Sequence, residues 1–597
     1  MNIRNLYLAL GLVVFALFFS CKKKDMPLTK ETPIDLDTIA AHYYEEYLKL
    51  YPLEATMQGD ERYNDQLPIN IDKDFINGEI AFYTKVQEQL KRVDYESLSD
   101  DKKVVYDVLE TTLKDKMERY IYKPEYIPFT QFEGLPLLFP VLGSGQGIQP
   151  FNTEKDYDNW LKRMSQFPIW IDAAINNFDE GIKNEVVLPK KLVIKMIPQL
   201  RAEEITSLSF EKNIFYKPLQ NFPKSFDAKT KQKYTELYKQ TVEEKIIPAY
   251  QKMADYLETV YYPEARDTDG YNALPNGEEA YKYYVKSWTT ADIPINEIHK
   301  MGVQEVAKIR AEMEAIKKEV GYSGSLESFL LAVKEEEKAM PYQSSQEVIG
   351  AFNAILKKIS PKLKTMFSVT PKTRFEIRQT EKFRELSASA EYIQGSADGS
   401  RPGIFYIPLP EPSKFNVTSG MESLFLHEAI PGHHYQVSLQ QENESLPKFM
   451  RFGWYGAYGE GWALYCESLG KDLGLYKDPY QRLGALNDQM LRAVRLVIDT
   501  GLHTGKLTRE GAIKYFLRNI AYDEAAATAE VERYMALPGQ ALSYKIGQAK
   551  IIELRTKYEK ELGKKFSLPE FHRALLSQGC LPLSVLERKM QLWAEKQ

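Results

Sequence analysis

His427-Glu428-Ala429-Ile430-Pro431-Gly432-His433-His434 gathers three of the chain's seven histidines into eight positions. Upstream, Ser419 with Glu422 three residues later reads as a capping box, and the apolar Leu424, Phe425 and Leu426 continue the helix it opens. His427 and Glu428 therefore fall about two turns into a helix. In the His-Glu-x-x-His arrangement two histidines four residues apart share one helix face, so both imidazoles reach one zinc ion while the Glu lies beside its water. Here Pro431 occupies the fourth position. In a regular helix His433 points roughly 120° away from His427, and His434 shares its face about 10 Å farther along, so neither reaches the same ion without distortion. Pro431 supplies the cause of one, because it has no N–H for the carbonyl of His427 and its ring clashes there. Gly432 tolerates the backbone angles that follow. The expectation is a kink or bulge that lets His433 act as second ligand beside His427. His434 stands as the alternative ligand, or as a group behind the ligands or against a substrate. Glu428 is the candidate general base.

Catalytic zinc takes three protein groups and leaves one position for water. Glu460, 27 residues beyond His433, opens the apolar stretch Trp462, Leu464 and Tyr465, which reads as a second helix. With this the segment resembles the motif of a bacterial family catalogued as domain of unknown function 885 and placed among the zincin-type metallopeptidases. Four blocks carry the resemblance: Ser400-Arg401-Pro402-Gly403, His427 to His434, Glu460-Gly461-Trp462-Ala463-Leu464-Tyr465-Cys466-Glu467, and Pro538 to Gly547. It runs from about residue 36 to the C-terminus. The expected fold is mainly α, a bilobed helical zincin-like metallopeptidase fold with a deep cleft and a small β-sheet beside the active-site helix. More distantly, the arrangement is similar to thermostable carboxypeptidases and thimet-type oligopeptidases, in which the ligand Glu is followed by a second Glu seven residues on. That likeness implies Glu460 as metal ligand and Glu467 as the residue that orients a histidine, with the exchanged assignment as the alternative. It also implies Tyr544 as a phenol over the metal, where it would stabilise the oxyanion of peptide hydrolysis.

Other candidates follow from side-chain chemistry. Arg533 and Tyr534 are read as a grip for a substrate carboxylate, Arg through two parallel hydrogen bonds. Arg401 is placed with them as a substrate-binding group, and His503 is a candidate catalytic donor. His42, His299 and His572 lie on charged helical stretches and read as surface or packing residues. Gly143-Ser144-Gly145-Gln146-Gly147 lacks the Lys-Ser/Thr of a phosphate loop. It falls in Tyr126 to Asn152, read as a long ordered loop. Gly403 to Pro408 is the clearest strand, and Pro408 confines it to an edge or an end, where an edge strand pairs with an extended peptide.

Helical periodicity is sound over Ile295 to Val320 and recurs around residues 36–50, 76–120, 154–178, 228–260 and 345–366. The net charge of −5 gives no basic footprint for nucleic acid. Residues 1–20 follow a secretory pattern, with Arg4 ahead of an apolar stretch too short for a comfortable span. Cys21 then sits where a bacterial lipoprotein signal has its acylated cysteine. The expected organisation is residues 1–20 as signal, 21–35 as acylated tether and 36–597 as a single large domain. Localisation outside the cytoplasm, with a lipid anchor in the cell envelope, follows from that reading. Three cysteines, with Cys466 and Cys580, allow no disulfide framework.

The functional expectation is a peptidase with one Zn2+ ion, hydrolysing short peptides in a carboxypeptidase-like or dipeptidase-like manner. Mn or Co suits the same ligand types. A non-catalytic peptide-binding lipoprotein and a zinc hydrolase of another amide or ester are the competing readings. Side-chain preference and oligomeric state are not written in these residues.

Overall fold

A computed structural model describes residues 35–380, 385, 389–396, 399 and 401–597; residues 1–34 with Cys21, and Ser400, lie outside the described residues. In the N-terminal half, helices begin where a side chain takes up orphan backbone amides. Asp35 accepts from the amide of Thr38 at the head of α1 (Leu36–Leu50). Ser99 accepts from that of Lys102 ahead of α2 (Asp100–Glu118). Thr153 and Asp156 form a complete capping box on the long α3 (Glu154–Lys183). The periodic stretch 76–120 is thus two helices, Lys73–Leu90 and α2, parted by a short 3-10 turn. The stretch Tyr126 to Asn152 is not all loop, because Leu135–Gly143 forms a helix with proline in its first turn and an apolar run behind it. Two further helices, α4 (Gly277–Thr289) and α5 (Ile295–Glu319), complete this half's contribution to the site.

The sheet has three short strands, β1 (Phe375–Gln379), β2 (Glu391–Ile393) and β3 (Gly403–Ile407), in the order β1-β3-β2. β3 pairs parallel with β1 and antiparallel with β2, Phe405 facing Tyr392 in register. Of the two places Pro408 allows, an edge or an end, the structure has the end, and β3 is the central strand. Pro408 lies just beyond its last residue, so no ladder hydrogen bond is lost by centring it. Any strand addition falls to β1 or β2 instead.

The C-terminal half carries α6 (Met421–Leu424) with its π turn Phe425–Ala429, α7 (His433–Glu442), α8 (Gly456–Ser468), α9 (Pro479–His503), α10 (Glu524–Ala536) and α11 (Ser543–Leu562). The molecule is mainly α and builds on two hydrophobic cores. One centres on Trp160, Phe167 and Tyr250. The other centres on Phe425, Trp462 and Ile546. A cavity of 1190 Å3 takes part of its wall from each core, with Ile127 and Leu537 from the first and Tyr43 and Phe449 from the second.

The crossing of α8 on α11 depends on glycine from both sides. A Cβ on Gly547 would stand 1.7 Å from the carbonyl oxygen of Ala457, and one on Gly461 would stand 2.5 Å from the carbonyl carbon of Gly547. Both obstacles are backbone, so neither helix yields without moving as a body. Gly547→Ala is expected to cost at least about 1–3 kcal/mol of stability, as overpacking does, measured by denaturant unfolding.

Candidate metal centre

Three side chains from separate elements meet at one point. His427 Nε2 and His433 Nε2 each lie 3.5 Å from the same Glu460 Oε2. The two imidazole rings stand nearly perpendicular, with centroids 4.8 Å apart. Among the described residues this is the one cluster of His, Cys, Asp or Glu whose ligand atoms all lie within 4.8 Å of one another.

The local chain explains the convergence. Gly420, with φ of +90°, precedes Met421, and its own space is closed by Asp488 Oδ2, 2.1 Å from where a Cβ would be. The helix therefore starts after Ser419, and the capping box expected there does not form. Ser419 Oγ instead donates to the carbonyl of Asn416, while the Glu422 carboxylate accepts from the amide of Tyr476 and from Lys358. The helix widens to a π turn at Phe425–Ala429 and breaks at Ile430 and the cis-bonded Pro431 before α7 begins at His433. Trp462 Nε1 and Cys466 Sγ both donate to the Pro431 carbonyl, tying the break to α8. At Gly432 a Cβ would lie 1.8 Å from the carbonyl oxygen of His427, so only glycine lets the chain fold back this closely. The kink thus delivers His433, six residues after His427, to the same carboxylate.

The donor set fits a cation. Tetrahedral ligands 2.0–2.1 Å from zinc stand about 3.4 Å from one another, close to the spacing seen here. His427 Nδ1 donates to Glu467 Oε1 at 2.8 Å, which leaves its Nε2 lone pair facing the centre. Without an ion, the electrostatics favour a proton on that nitrogen, the place a metal would take. Burial alone would lower His427, but hydrogen bonds with Glu460 and Glu467 outweigh it and lift the imidazole to about 10. Burial would raise Glu460, but the two histidines hold it far below the usual carboxylate range. This is a compact, partly buried focus of two imidazoles and a carboxylate, donor types that a divalent ion accepts.

Glu428 follows His427 and is partly exposed. Burial pushes its carboxyl up, against the pull of His427 and His433 and of a backbone hydrogen bond from Tyr392 on β2. β2 is held in turn by His434, which points away from the triad. Its Nδ1 accepts from the Tyr392 hydroxyl at 3.1 Å and its ring lies against Phe375. Gly403 is obligatory beside them, since a Cβ there would press on both the Tyr392 hydroxyl and His434 Nδ1. Burial drops His434 to about 4. His434 thus steadies the strand that faces Glu428.

Sequence reasoning missed Trp454. It is 49% exposed, its ring lies 5.9 Å from that of His433, and it belongs to the cavity wall. A Cβ on Gly459 would meet its ring at 2.0 Å, which fixes it against α8 one residue before Glu460. The signal was Trp454-Tyr455-Gly456 ahead of the Glu460 block, a large apolar residue at a helix entry.

The remaining candidates divide. Tyr544 opens α11 one turn before Gly547, the residue that crosses α8 beside Glu460, and the Arg495 guanidinium lies 4.7 Å over its ring. Arg533 is engaged: it donates to Gln540 Oε1 at 2.9 Å, pairs with Glu530 and lies over Phe132. Tyr534 is buried, its hydroxyl donating to Glu530 and accepting from Arg495. Internal partners engage the Tyr534 hydroxyl and both terminal nitrogens of Arg533, which leaves only the buried Arg533 Nε without one among the described residues. Arg401 is exposed in the loop before β3, near enough to Tyr392 for its charge to act on that hydroxyl. His503 is a correction: Nδ1 accepts from the amide of Tyr271 and Nε2 donates to the carbonyl of Tyr534, so both ring nitrogens are spent on backbone. His572 is equally buried between the Tyr465 hydroxyl and the carbonyl of Met366.

Three of these buried rings make stability depend on acid. Burial lowers His434 and His572 to about 4 and His503 to about 3. The unfolded chain protonates them near 6.5, so between there and the folded values it binds protons the native state refuses. Stability is complete above that pH and falls as pH drops toward 4, by up to about 1.4 kcal/mol per unit for each histidine. His427, raised against burial to about 10 by hydrogen bonds with its carboxylates, acts in a different window: in metal-free protein its stabilisation is complete below about 6.5 and is lost as pH rises toward 10, so it leaves the acid-side slope unchanged. Thermal melts at pH 7.5 and 5.0 are expected to show the loss, and His572→Phe to make its slope shallower.

The sequence matches the bacterial family of proteins of unknown function DUF885 over residues 52–590, and the chain belongs to that family. No curated protein matches it. Among solved structures, a presumptive lipoprotein of Colwellia psychrerythraea is 28% identical with a TM-score of 0.83, covering 94% of this chain and 99% of its own. A presumptive lipoprotein of unknown function from Shewanella oneidensis is 18% identical with a TM-score of 0.72, covering 94% and 100%. The M32 carboxypeptidase of Deinococcus radiodurans R1 aligns at 11% identity and a TM-score of 0.36, covering 94% and 99%, too slight a likeness to bear on the fold. No helix among the described residues is long and apolar enough to cross a membrane.

Proposed function

We propose that this protein is a zinc-dependent peptidase acting on short peptides, held outside the cytoplasm by a lipid on Cys21. The observation that carries the reading is the convergence of His427 Nε2, His433 Nε2 and Glu460 Oε2 with Glu428 alongside. His427, His433 and Glu460 would hold the ion. When bound, zinc supplies a Lewis acid that brings the pKa of water toward 7 and polarises a carbonyl.

The chain's own groups do the rest. Glu467 keeps the proton of His427 on Nδ1, so that Nε2 presents its lone pair. Glu428 takes the proton of water as its oxygen adds to the peptide carbon, and returns that proton to the amine nitrogen as the C–N bond breaks. A carboxyl raised by burial suits this double role, because it is a stronger base than a solvated one and a competent acid once protonated. Tyr544 donates to the carbonyl oxygen as charge develops there. Trp454 supplies an apolar contact for a substrate side chain. The anchor reading rests on the residue pattern at Cys21 and on the lipoprotein description of the Colwellia psychrerythraea relative.

The test is direct. Purified residues 22–597 are assayed for bound metal and incubated with a mixed peptide library, with products read by mass spectrometry. One equivalent of metal with cleavage is the expected result. Metal without cleavage favours a peptide-binding lipoprotein or a non-peptide substrate.

A further inference from the structure

Five cations line the 1190 Å3 cavity, and three of them, Lys114, Lys123 and Lys286, are in ion pairs. Lys116 stands in the last turn of α2 and Arg119 three residues on, so both project from one face, and both line the cavity. Among the described residues neither makes an ion pair or a side-chain hydrogen bond. Their neighbours are aromatic: Lys116 Nζ is 5.5 Å from the ring centre of Tyr47 and 5.4 Å from that of Tyr51, and the Arg119 guanidinium is 5.3 Å from that of Tyr120.

Nearby carboxylates act on both cations through space, Glu79 on each, but among the described residues none is paired with either. Glu79 is fully buried and already accepts the hydroxyls of Tyr51, Tyr83 and Tyr120. Glu118 is paired with Lys286, and Glu125 with Lys123. Glu54, Asp115 and Glu133 also line the cavity, and burial pushes all three upward, toward their neutral forms. Burial likewise lowers Lys116, and the adjacent Arg119 adds to that. Two desolvated cations with no directly bonded counter-ion are costly, and an anion between them relieves the cost.

At Trp454 the cavity wall comes close to the metal centre, the ring lying 5.9 Å from that of His433. Thr112 Oγ1 and the Tyr455 hydroxyl are 2.6 Å apart, and Tyr455 follows Trp454, which reaches His433. Lys116 lies one turn, about 6 Å, beyond Thr112 on α2. A few extended residues at about 3.3 Å each span such a path.

We propose that Lys116 and Arg119 bind the free carboxylate terminus of a short peptide whose remaining residues run past Trp454 toward the triad. Resting on the peptidase reading, this narrows the substrates to peptides with an unblocked carboxyl end. It moves the carboxylate grip from Arg533, which is engaged elsewhere, to the cavity wall.

The test uses equilibrium binding by calorimetry on the full chain in detergent, carrying Glu428→Gln, with mass spectrometry confirming that the ligand stays intact. A tetrapeptide is compared with its carboxamide. The free acid is expected to bind at least about tenfold more tightly, and Lys116→Met with Arg119→Gln to abolish that difference while leaving carboxamide affinity unchanged. Equal affinity of acid and amide for the unsubstituted cavity overturns the proposal, as does a preference that survives both substitutions. Competition by inorganic phosphate stronger than by acetate overturns it in favour of a phosphoryl ligand. The acid–amide comparison needs no cavity variant, so a misfolded double variant leaves the test standing. Binding that behaves as expected in a protein whose wild type cleaves nothing overturns the peptidase reading alone.

Discussion

Glu428→Gln is expected to lower peptide turnover by about 10²–10⁴-fold while the metal content stays that of the wild type. The substitution preserves size and hydrogen-bonding reach and removes only the ability to carry the proton. Glu428 is not one of the three groups whose ligand atoms converge, so the metal centre loses none of its contacts. Its carboxyl is raised by burial, with Glu460 adding to the effect, and the glutamine amide has no equivalent ionisation. The measurement is the rate of appearance of a new amine from a defined tetrapeptide, beside metal analysis of the same samples. Equal rates from the two proteins remove Glu428 from the mechanism. Loss of metal along with activity shows instead that Glu428 supports the site's structure.

Two neighbouring histidines are expected to behave in opposite ways. His433→Ala removes one of two imidazole nitrogens from the focus, leaving His427 and Glu460 as an incomplete set, and is expected to release the metal. His434→Ala leaves all three ligand atoms untouched and is expected to retain it. What His434→Ala removes is the hydrogen bond to the Tyr392 hydroxyl and the contact with Phe375, so it loosens β2 and lowers activity through the Tyr392 amide near Glu428. Metal titration by a chromophoric chelator separates the pair: tight binding by the His434 variant and weak binding by the His433 variant. The reverse outcome would move the second ligand to His434. Glu467→Gln lies between these cases. It leaves the ligands in place but weakens the hold on His427 Nδ1, and it is expected to cost about 10–100-fold in metal affinity.

Much of this arrangement is legible in the residues, and the parts that are not have physical causes. Proline at position 431 forecast a broken helix, and the chain repeats the device. Each of its three π turns among the described residues, Val242–Ile246, Leu257–Tyr261 and Phe425–Ala429, ends two residues before a proline, at Pro248, Pro263 and Pro431. Proline alone does not decide it, because Pro168, Pro198 and Pro361 sit inside helices without one. At Pro431 the next residue is Gly432, and only there does the chain fold back on the carbonyl of His427.

Arg533, Tyr534 and His503 stood as candidates because sequence shows which groups are present and not which are engaged. All three lie close to the functional block, yet Glu530, Gln540 and backbone groups of Tyr271 and Tyr534 claim their donors and acceptors. Pro538-Gly539 was read with the catalytic block for the same reason. Gly539, at φ of +81°, approaches the backbone of Tyr284 and Val285 and donates its amide to buried Asp499, a packing role. Conversely, Lys116 and Arg119 fall in the periodic stretch 76–120 and carry no signal of their own in the sequence. Their distinction lies in lacking partners, which depends on what the rest of the chain brings near them.

The central claim is that two imidazoles six residues apart and a distant carboxylate share one cation. Diffraction at the zinc absorption edge from crystals of the zinc-loaded protein tests it most directly. The account predicts a single anomalous peak about 2.0–2.2 Å from His427 Nε2, His433 Nε2 and a Glu460 oxygen. A peak at His434, or none among these side chains in protein given excess zinc, contradicts it.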